Sequence, residues 1–439
     1  EARAAADEAA AEAADAAGNE LDDGQLAEAA DAAGEAAADS TPAAAGLATP
    51  LAGDALVTAV GSASPLIDAV MDGVRPFAVD VDPRGAAIEQ DVLVVLAEPG
   101  ELPAYAGSGL ELVAQRELPS LGLVLLTLRA ANSHALADRA RALRAAAPAA
   151  AVDFNHLYRP LAAGDSGAAA GAASDAPVAA AGTASGLRLG LVDSAVEPGH
   201  RALTGTRVTG RDFVTFDAER PLGHGTAVAS LLAAEAGADS EILAASVFFR
   251  ADGHAPGATT ESLVAALAWL AEERVDAINM SLAGPANALL ERALAALAAQ
   301  DGPPVIAAVG NNGPAGEPMY PGALASVLGV TAVDRDERVF VYANRGEHVD
   351  FAALGVNVKV ADLGGGWRIE SGTSMAAPRV TAWAAAHGRA DGLRGEALRA
   401  ALIGSARDLG RPGFDPVYGH GLLTRPPAIL SRLRTPPQD

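Results

Sequence analysis

Over its second half the 439-residue chain alternates between short continuous apolar runs and stretches whose apolar positions recur at helical spacing. Leu187–Val192, Ile242–Val247, Ala277–Met280, Val305–Val309 and Val327–Ala332 read as strands buried on both faces, since a strand with one wet face would alternate. Thr226–Glu235, Ser262–Glu273 and Leu289–Ala299 read as amphipathic helices between them. That order predicts an α/β fold over 187–430: a mostly parallel sheet with helices on both faces. Sites in such sheets form outside the carboxyl ends of the strands.

The first half is less uniform. Residues 91–160 predict a small α+β domain, with strands at Asp91–Ala97, Leu110–Leu118, Leu121–Arg129 and Ala151–Tyr158. A helix is expected over Ser133–Ala146 with Ser133 as N-cap, giving a four-stranded sheet with one long helix and a shorter one. Residues 1–50 are an Ala- and acid-rich low-complexity arm with no apolar stripe to bury, and 51–90 are mixed and turn-rich without an assignable element. An Ala/Gly/Ser linker follows at 161–186, and 431–439 form a C-terminal tail.

Composition narrows the function. A formal net charge of -24 argues against a phosphate-gripping nucleic-acid binder. No run of eighteen apolar residues is present to span a bilayer. With 0 cysteines, disulfides, thiolate metal sites and cysteine nucleophiles are excluded. The chain begins at Glu1 without an initiator methionine or a charged-then-apolar leader, so a signal peptide is either removed or was never there; the expectation is an exported protein, periplasmic or extracellular.

Three short segments carry chemistry. Leu189-Gly190-Leu191-Val192-Asp193-Ser194 puts an aspartate at the end of a buried strand, Gly223-His224-Gly225-Thr226 puts a histidine at a helix start, and Ser371-Gly372-Thr373-Ser374-Met375-Ala376-Ala377-Pro378 puts a serine on a turn entering a helix. Serine needs a base to take its proton, and histidine needs a carboxylate to fix its tautomer and hold its cation. Singly, each segment also reads as an ordinary turn or helix start; together they are an acyl-transfer inventory.

In that order the segments resemble the subtilisin-like serine proteases, the subtilases. The resemblance covers roughly 187–430, with 91–160 resembling the family's propeptide. It implies Asp193 as orienting residue, His224 as general base and acid, and Ser374 as nucleophile. Val305–Gly313 resembles the family's oxyanion segment, which implies Asn311 as one oxyanion donor and the Ser374 backbone N–H as the other. Asn279–Pro285 resembles the segment that pairs with bound peptide, so Ser281, Leu282, Ala283 and Gly284 are implied in substrate binding, with Ala308 and Met319 at the specificity pocket. Ala195, Ala283 and Met319 stand where the family commonly has glycine, and the methionine predicts a pocket for small or modest side chains before the scissile bond. The short Ala233–Ile242 connection lacks the long loop that holds the family's tight calcium, so Asp239 and Glu241 are read as a solvated turn. No metal and no cofactor are expected.

The resemblance further implies a zymogen that lays its own small domain into the cleft and cuts itself between Tyr158 and Gly186. Partners are then protein or peptide substrates. A near-normal histidine predicts activity rising through about pH 6–7. The rivals are a silent peptide-binding pseudoenzyme, or a permanently blocked protease, and an esterase using the same triad.

Overall fold

The structure, a computed structural model, describes residues 77–105, 108–131, 135–161, 186–237, 239–250 and 255–424. These residues belong to one compact unit, Pro65–Asp439. The low-complexity arm, the linker body, the C-terminal tail and the Ser133 cap lie outside the described residues.

The small domain is an antiparallel sheet of β1 (Val79–Val81), β2 (Ala87–Ala97), β3 (Leu110–Leu118), β4 (Leu123–Ala130) and β5 (Ala151–Pro160), with α1 (Leu136–Ala146) packed on it. Pairing runs β5-β2-β4-β3, and β1 adds to β2. Strand β2 starts four residues before the expected Asp91 and lies partly in the segment that gave no assignable element. The reason is local: the β2–β5 register shifts between Ile88 and Leu93, and Asp91 there has φ 63°, so the continuous apolar run starts only at Val92. Of the expected shorter helix, the described residues contain only a three-residue turn, Pro119–Leu121. Leu93, Val95, Leu126, Leu128, Leu143 and Phe154 form this domain's core.

The larger domain contains β6 (Arg188–Asp193), β7 (Arg207–Asp212), α2 (Gly223–Ala236), β8 (Glu241–Ser246), β9 (Ala258–Thr259) and α3 (Thr260–Glu272). It continues through β10 (Ala277–Met280), β11 (Leu282–Ala283), α4 (Ala288–Ala299), β12 (Val305–Ala308) and β13 (Val327–Val333). The chain then forms β14 (Phe351–Leu354), the antiparallel pair β15 (Val358–Asp362) and β16 (Gly366–Glu370), α5 (Thr373–Asp391) and α6 (Gly395–Ser405). The main sheet runs β14-β13-β12-β10-β6-β8-β7, and every neighbouring pair is parallel. One apolar cluster, with Leu189, Leu191, Val330 and Phe351, packs α2 and α5 on one face. A second, with Val192, Ile278 and Val305, packs α3 and α4 on the other.

Strand β5 joins the domains. Beyond β2 it pairs antiparallel with β11, Pro160 opposite Leu282 and Arg159 opposite Ala283, and with β9, Leu157 opposite Thr259 and Tyr158 opposite Ala258. Its polar side chains meet the N-termini of two helices, whose free N–H groups need acceptors. Asp153 accepts from Ala288 N–H at 3.0 Å at the start of α4, and Asn155 accepts from Glu261 N–H at 3.0 Å at the start of α3. The Asn155 amide also donates to Glu89 at 2.8 Å, deep in the junction. His156, to which the sequence assigned nothing, bridges Asp82 at 3.2 Å and Asn287 at 2.8 Å.

Removing the Asn155 amide takes two hydrogen bonds from a buried interface. In a Ser374→Ala background, Asn155→Ala is expected to destabilise the docked small domain by about 1–3 kcal/mol, seen as a lower denaturation midpoint. An unchanged midpoint would contradict this role.

Candidate active site

The expected residues converge on the carboxyl edge of the parallel sheet. Asp193 ends β6, His224 is the second residue of α2, Asn311 follows β12 and Ser374 is the second residue of α5. Asp193 and Ser374 are fully buried.

His224 Nδ1 lies 2.8 and 3.0 Å from the two Asp193 carboxylate oxygens. A carboxylate can only accept there, so Nδ1 carries the proton and Nε2 is left basic. Nε2 is buried and, among the described residues, has no hydrogen-bond partner. The aspartate is itself held by the Ser194 N–H at 2.7 Å, while the Ser194 hydroxyl accepts from Gly225 N–H at 2.7 Å, tying the strand end to the first turn of α2. Burial alone would favour neutral His224. The charge and hydrogen bond of Asp193, helped by Glu370, outweigh it, with Arg368 acting the other way, so His224 titrates above the ordinary histidine value.

Gly372, with φ 153°, makes the turn into the nucleophile helix, and a Cβ there would stand 3.0 Å from Asn311 Nδ2. Asn311 Oδ1 accepts from Thr373 N–H at 3.1 Å and from the Thr373 hydroxyl at 2.9 Å. With its oxygen turned to two donors, the amide must present its NH₂ to the cleft. That NH₂ donates to the Leu161 carbonyl oxygen at 3.1 Å, and Ser374 Oγ donates to the same oxygen at 3.0 Å. The Ser374 backbone N–H, expected as second donor, is not among the groups bonded to Leu161. The second contact of Ser374 Oγ is the Ser281 carbonyl at 3.3 Å, and none of its hydrogen bonds goes to His224.

Pro378 has a consequence for the nucleophile. It lies four residues after Ser374 and has no N–H, so the usual helical donor to the Ser374 carbonyl is missing. Ser281 Oγ replaces it, donating at 3.0 Å, and is in turn held by Asn279 Nδ2 at 2.9 Å, whose oxygen accepts from Thr381 at 3.1 Å. Ser281 thus holds the Ser374 backbone and stands immediately before β11. Thr373, Thr381 and the short strand β9 escaped the sequence reading; two-residue strands and hydroxyls inside helices carry no periodic signal.

Strand β5 runs antiparallel along β11. Leu282 and Ala283 pair with it, and Gly284 lies so close to Tyr158 that a Cβ would be 2.5 Å from the ring. Burial pushes the Tyr158 phenol up, so it stays protonated and donates to Pro285 O at 2.9 Å. Leu161, Ala283 and Ala308 share one apolar cluster, against which Met319 packs. Assignment of residue 161 to the linker is thereby corrected: Leu161 is 7% exposed because its side chain completes that cluster. The side chain seated beside Ala308 and Met319 is a leucine, which the expectation of small or modest side chains did not include. Glu241, read as part of a solvated turn, pairs with Arg188 at 2.9 Å and Arg207 at 3.7 Å. Among the described residues no cluster of His, Asp or Glu has metal-holding geometry.

The subtilase family matches residues 184–421, more than half of the chain, and the chain belongs to that family. It is 27% identical over 246 residues to the minor extracellular protease Epr of Bacillus subtilis (strain 168), covering 55% of this chain and 38% of that one. To the thermophilic serine proteinase of Bacillus sp. (strain AK1) it is 31% identical over 209 residues, covering 46% and 52%. Subtilisin DY of Bacillus licheniformis is 29% identical over 247 residues, covering 54% and 88%. The chain thus spans about half or less of the first two relatives. Fervidolysin from Fervidobacterium pennivorans, a keratinolytic enzyme related to subtilisin, shares the fold: TM-score 0.62 and 17% identity, over 83% of this chain and 63% of that one.

The raised His224 has a signed consequence. A general base must be neutral, so the acid limb of kcat/KM is expected above the ordinary histidine value. Its contribution to stability runs the other way: it is complete below the unfolded value and lost as pH rises through the folded one. Glu370→Gln removes a group that favours the cation, so the acid limb moves to lower pH. A limb that stays in place or moves up would contradict this electrostatic account.

Proposed function

We propose that the protein is a serine endopeptidase whose residues 77–161 are its own inhibitory segment, and that the bond it presents to itself is Leu161–Ala162. The observation that carries this reading is the Leu161 carbonyl oxygen, held between Asn311 Nδ2 and Ser374 Oγ at the end of a strand paired into the peptide slot. That is how a scissile carbonyl is polarised and brought to its nucleophile.

In this reading Ser374 Oγ attacks the carbonyl carbon while His224 Nε2 takes its proton. The oxyanion is held by Asn311 Nδ2, and Asp193 stabilises the imidazolium. His224 then protonates the departing amine, the C–N bond breaks, and an acyl ester remains on Ser374. Water, deprotonated by the same imidazole, releases the acid. Substrates are extended peptides that replace β5, with a leucine-sized side chain before the scissile bond and an aromatic one three residues earlier, as Leu161 and Tyr158 stand here. The protein acts after export, on protein or peptide substrates, without a cofactor. Among the described residues no helix is long and apolar enough to cross a membrane.

A fluorophosphonate probe separates this from the silent peptide-binding reading. Ser374 is expected to react slowly in the full chain, where Leu161 covers it, and rapidly once the 162–185 segment has been cut. Labelling should vanish in His224→Ala. Asn311→Ala should lower kcat by about 10²–10³, the loss known for the equivalent donor of subtilisin itself. No labelling in either form would favour the binding module.

A further inference from the structure

A second contact between the small domain and the catalytic domain lies away from the reaction centre. Phe77, just before β1, stacks on Phe216 with ring centroids 4.5 Å apart and an interplanar angle of 17°. It also meets Phe249 edge-on at 4.5 Å and 72°. Phe216 and Phe249 are edge-on to each other at 4.6 Å and 83°. With Phe77 in place, Phe216 is 5% and Phe249 2% exposed, and Val214 completes the buried wall.

The catalytic domain builds this pocket from its own backbone. One arginine, Arg220, holds the loop carrying Val214 and Phe216: its guanidinium donates to Asp212 at 2.8 Å, to Val214 O at 3.3 Å, to Phe216 O at 3.1 Å and to Ala218 O. Phe249 exchanges two backbone hydrogen bonds with Gly257, at 2.9 and 3.0 Å, next to β9. Neither constraint uses Phe77, so the cradle is not a product of its occupant. Leu157 packs beside the cluster, and four residues of extended chain put it about 13 Å from Leu161.

We propose that Val214, Phe216 and Phe249 form an exosite on the catalytic domain that takes an aromatic side chain, with Phe77 as its resident ligand. Phe77 at the exosite then adds a hold on the small domain that is separate from the β5 junction and from Leu161 at Ser374. The ring geometry selects an aromatic: offset stacking and edge-on contacts use the quadrupoles of both partners, and an aliphatic side chain of similar volume forfeits them. The proposal deepens the reading of residues 77–161 as an inhibitory segment, but the contact itself stands whether or not Ser374 is reactive.

The test is hydrogen exchange in the full chain carrying Ser374→Ala, which keeps it uncut and needs no catalysis. Local opening sets exchange of the β5 amides. Phe77→Ala is expected to speed their exchange about 10-fold or more, while β12 and β13 amides stay protected. Phe77→Trp should retain wild-type protection and Phe77→Leu should lose part of it. Unchanged β5 exchange in Phe77→Ala would overturn the anchor, and full protection in Phe77→Leu would overturn the aromatic selectivity. Failure of Ser374 labelling in the earlier experiment would leave these outcomes readable.

Discussion

Strand β5 makes its backbone hydrogen bonds to two domains at once, and the cleft in this structure is shaped around that fact. On one side β2 completes the small domain's sheet; on the other, β11 and β9 accept it as an added strand. Edge pairing of this kind gives affinity through the main chain and leaves selectivity to the side-chain pockets. Because strand register advances in steps of one residue, fixing Pro160 opposite Leu282 also fixes which carbonyl reaches Asn311. Asp153 and Asn155 lock that register from the side, by meeting the two helix N-termini.

The reaction centre depends on a different constraint, the common carboxyl edge of an all-parallel sheet. Every strand of that sheet ends on the same side, so residues far apart in sequence are delivered to one rim. Asp193 and His224 arrive paired, with the imidazole tautomer already chosen. Ser374 arrives on a helix whose first turn is incomplete, since Pro378 removes one donor and Ser281 supplies another. One hydroxyl, that of Ser281, thereby ties the Ser374 carbonyl to the segment that leads into β11.

Much of this was legible in the sequence, for reasons that differ by element. The buried strands of the parallel sheet are continuous apolar runs; Asp193 and Asn311 lie at or just past the ends of two of them, and His224 and Ser374 sit in short motifs at helix starts. Strand β7 was not legible because Arg-Val-Thr-Gly-Arg-Asp is a mostly exposed edge with no apolar face to reveal it. Strand β9 is two residues long and is a strand through pairing with β5, whereas β11, equally short, was expected only through the resemblance carried by Asn279–Pro285. Glu89 in β2 breaks an apolar pattern yet is buried, since Asn155 meets it from another strand. Leu161 was read into the Ala/Gly/Ser linker by composition, whereas register and the pocket beside Met319 decide its place. Pairing between distant segments leaves no local trace, and these misses share that origin.

The most direct test is the mass of the chain after purification under conditions that allow self-cutting. The account predicts that wild type yields a fragment beginning at Ala162, while Ser374→Ala remains full length. A wild-type chain that stays intact, or one that begins elsewhere in 162–186 with no fragment starting at Ala162, would contradict the claim that Leu161 is held as the scissile residue.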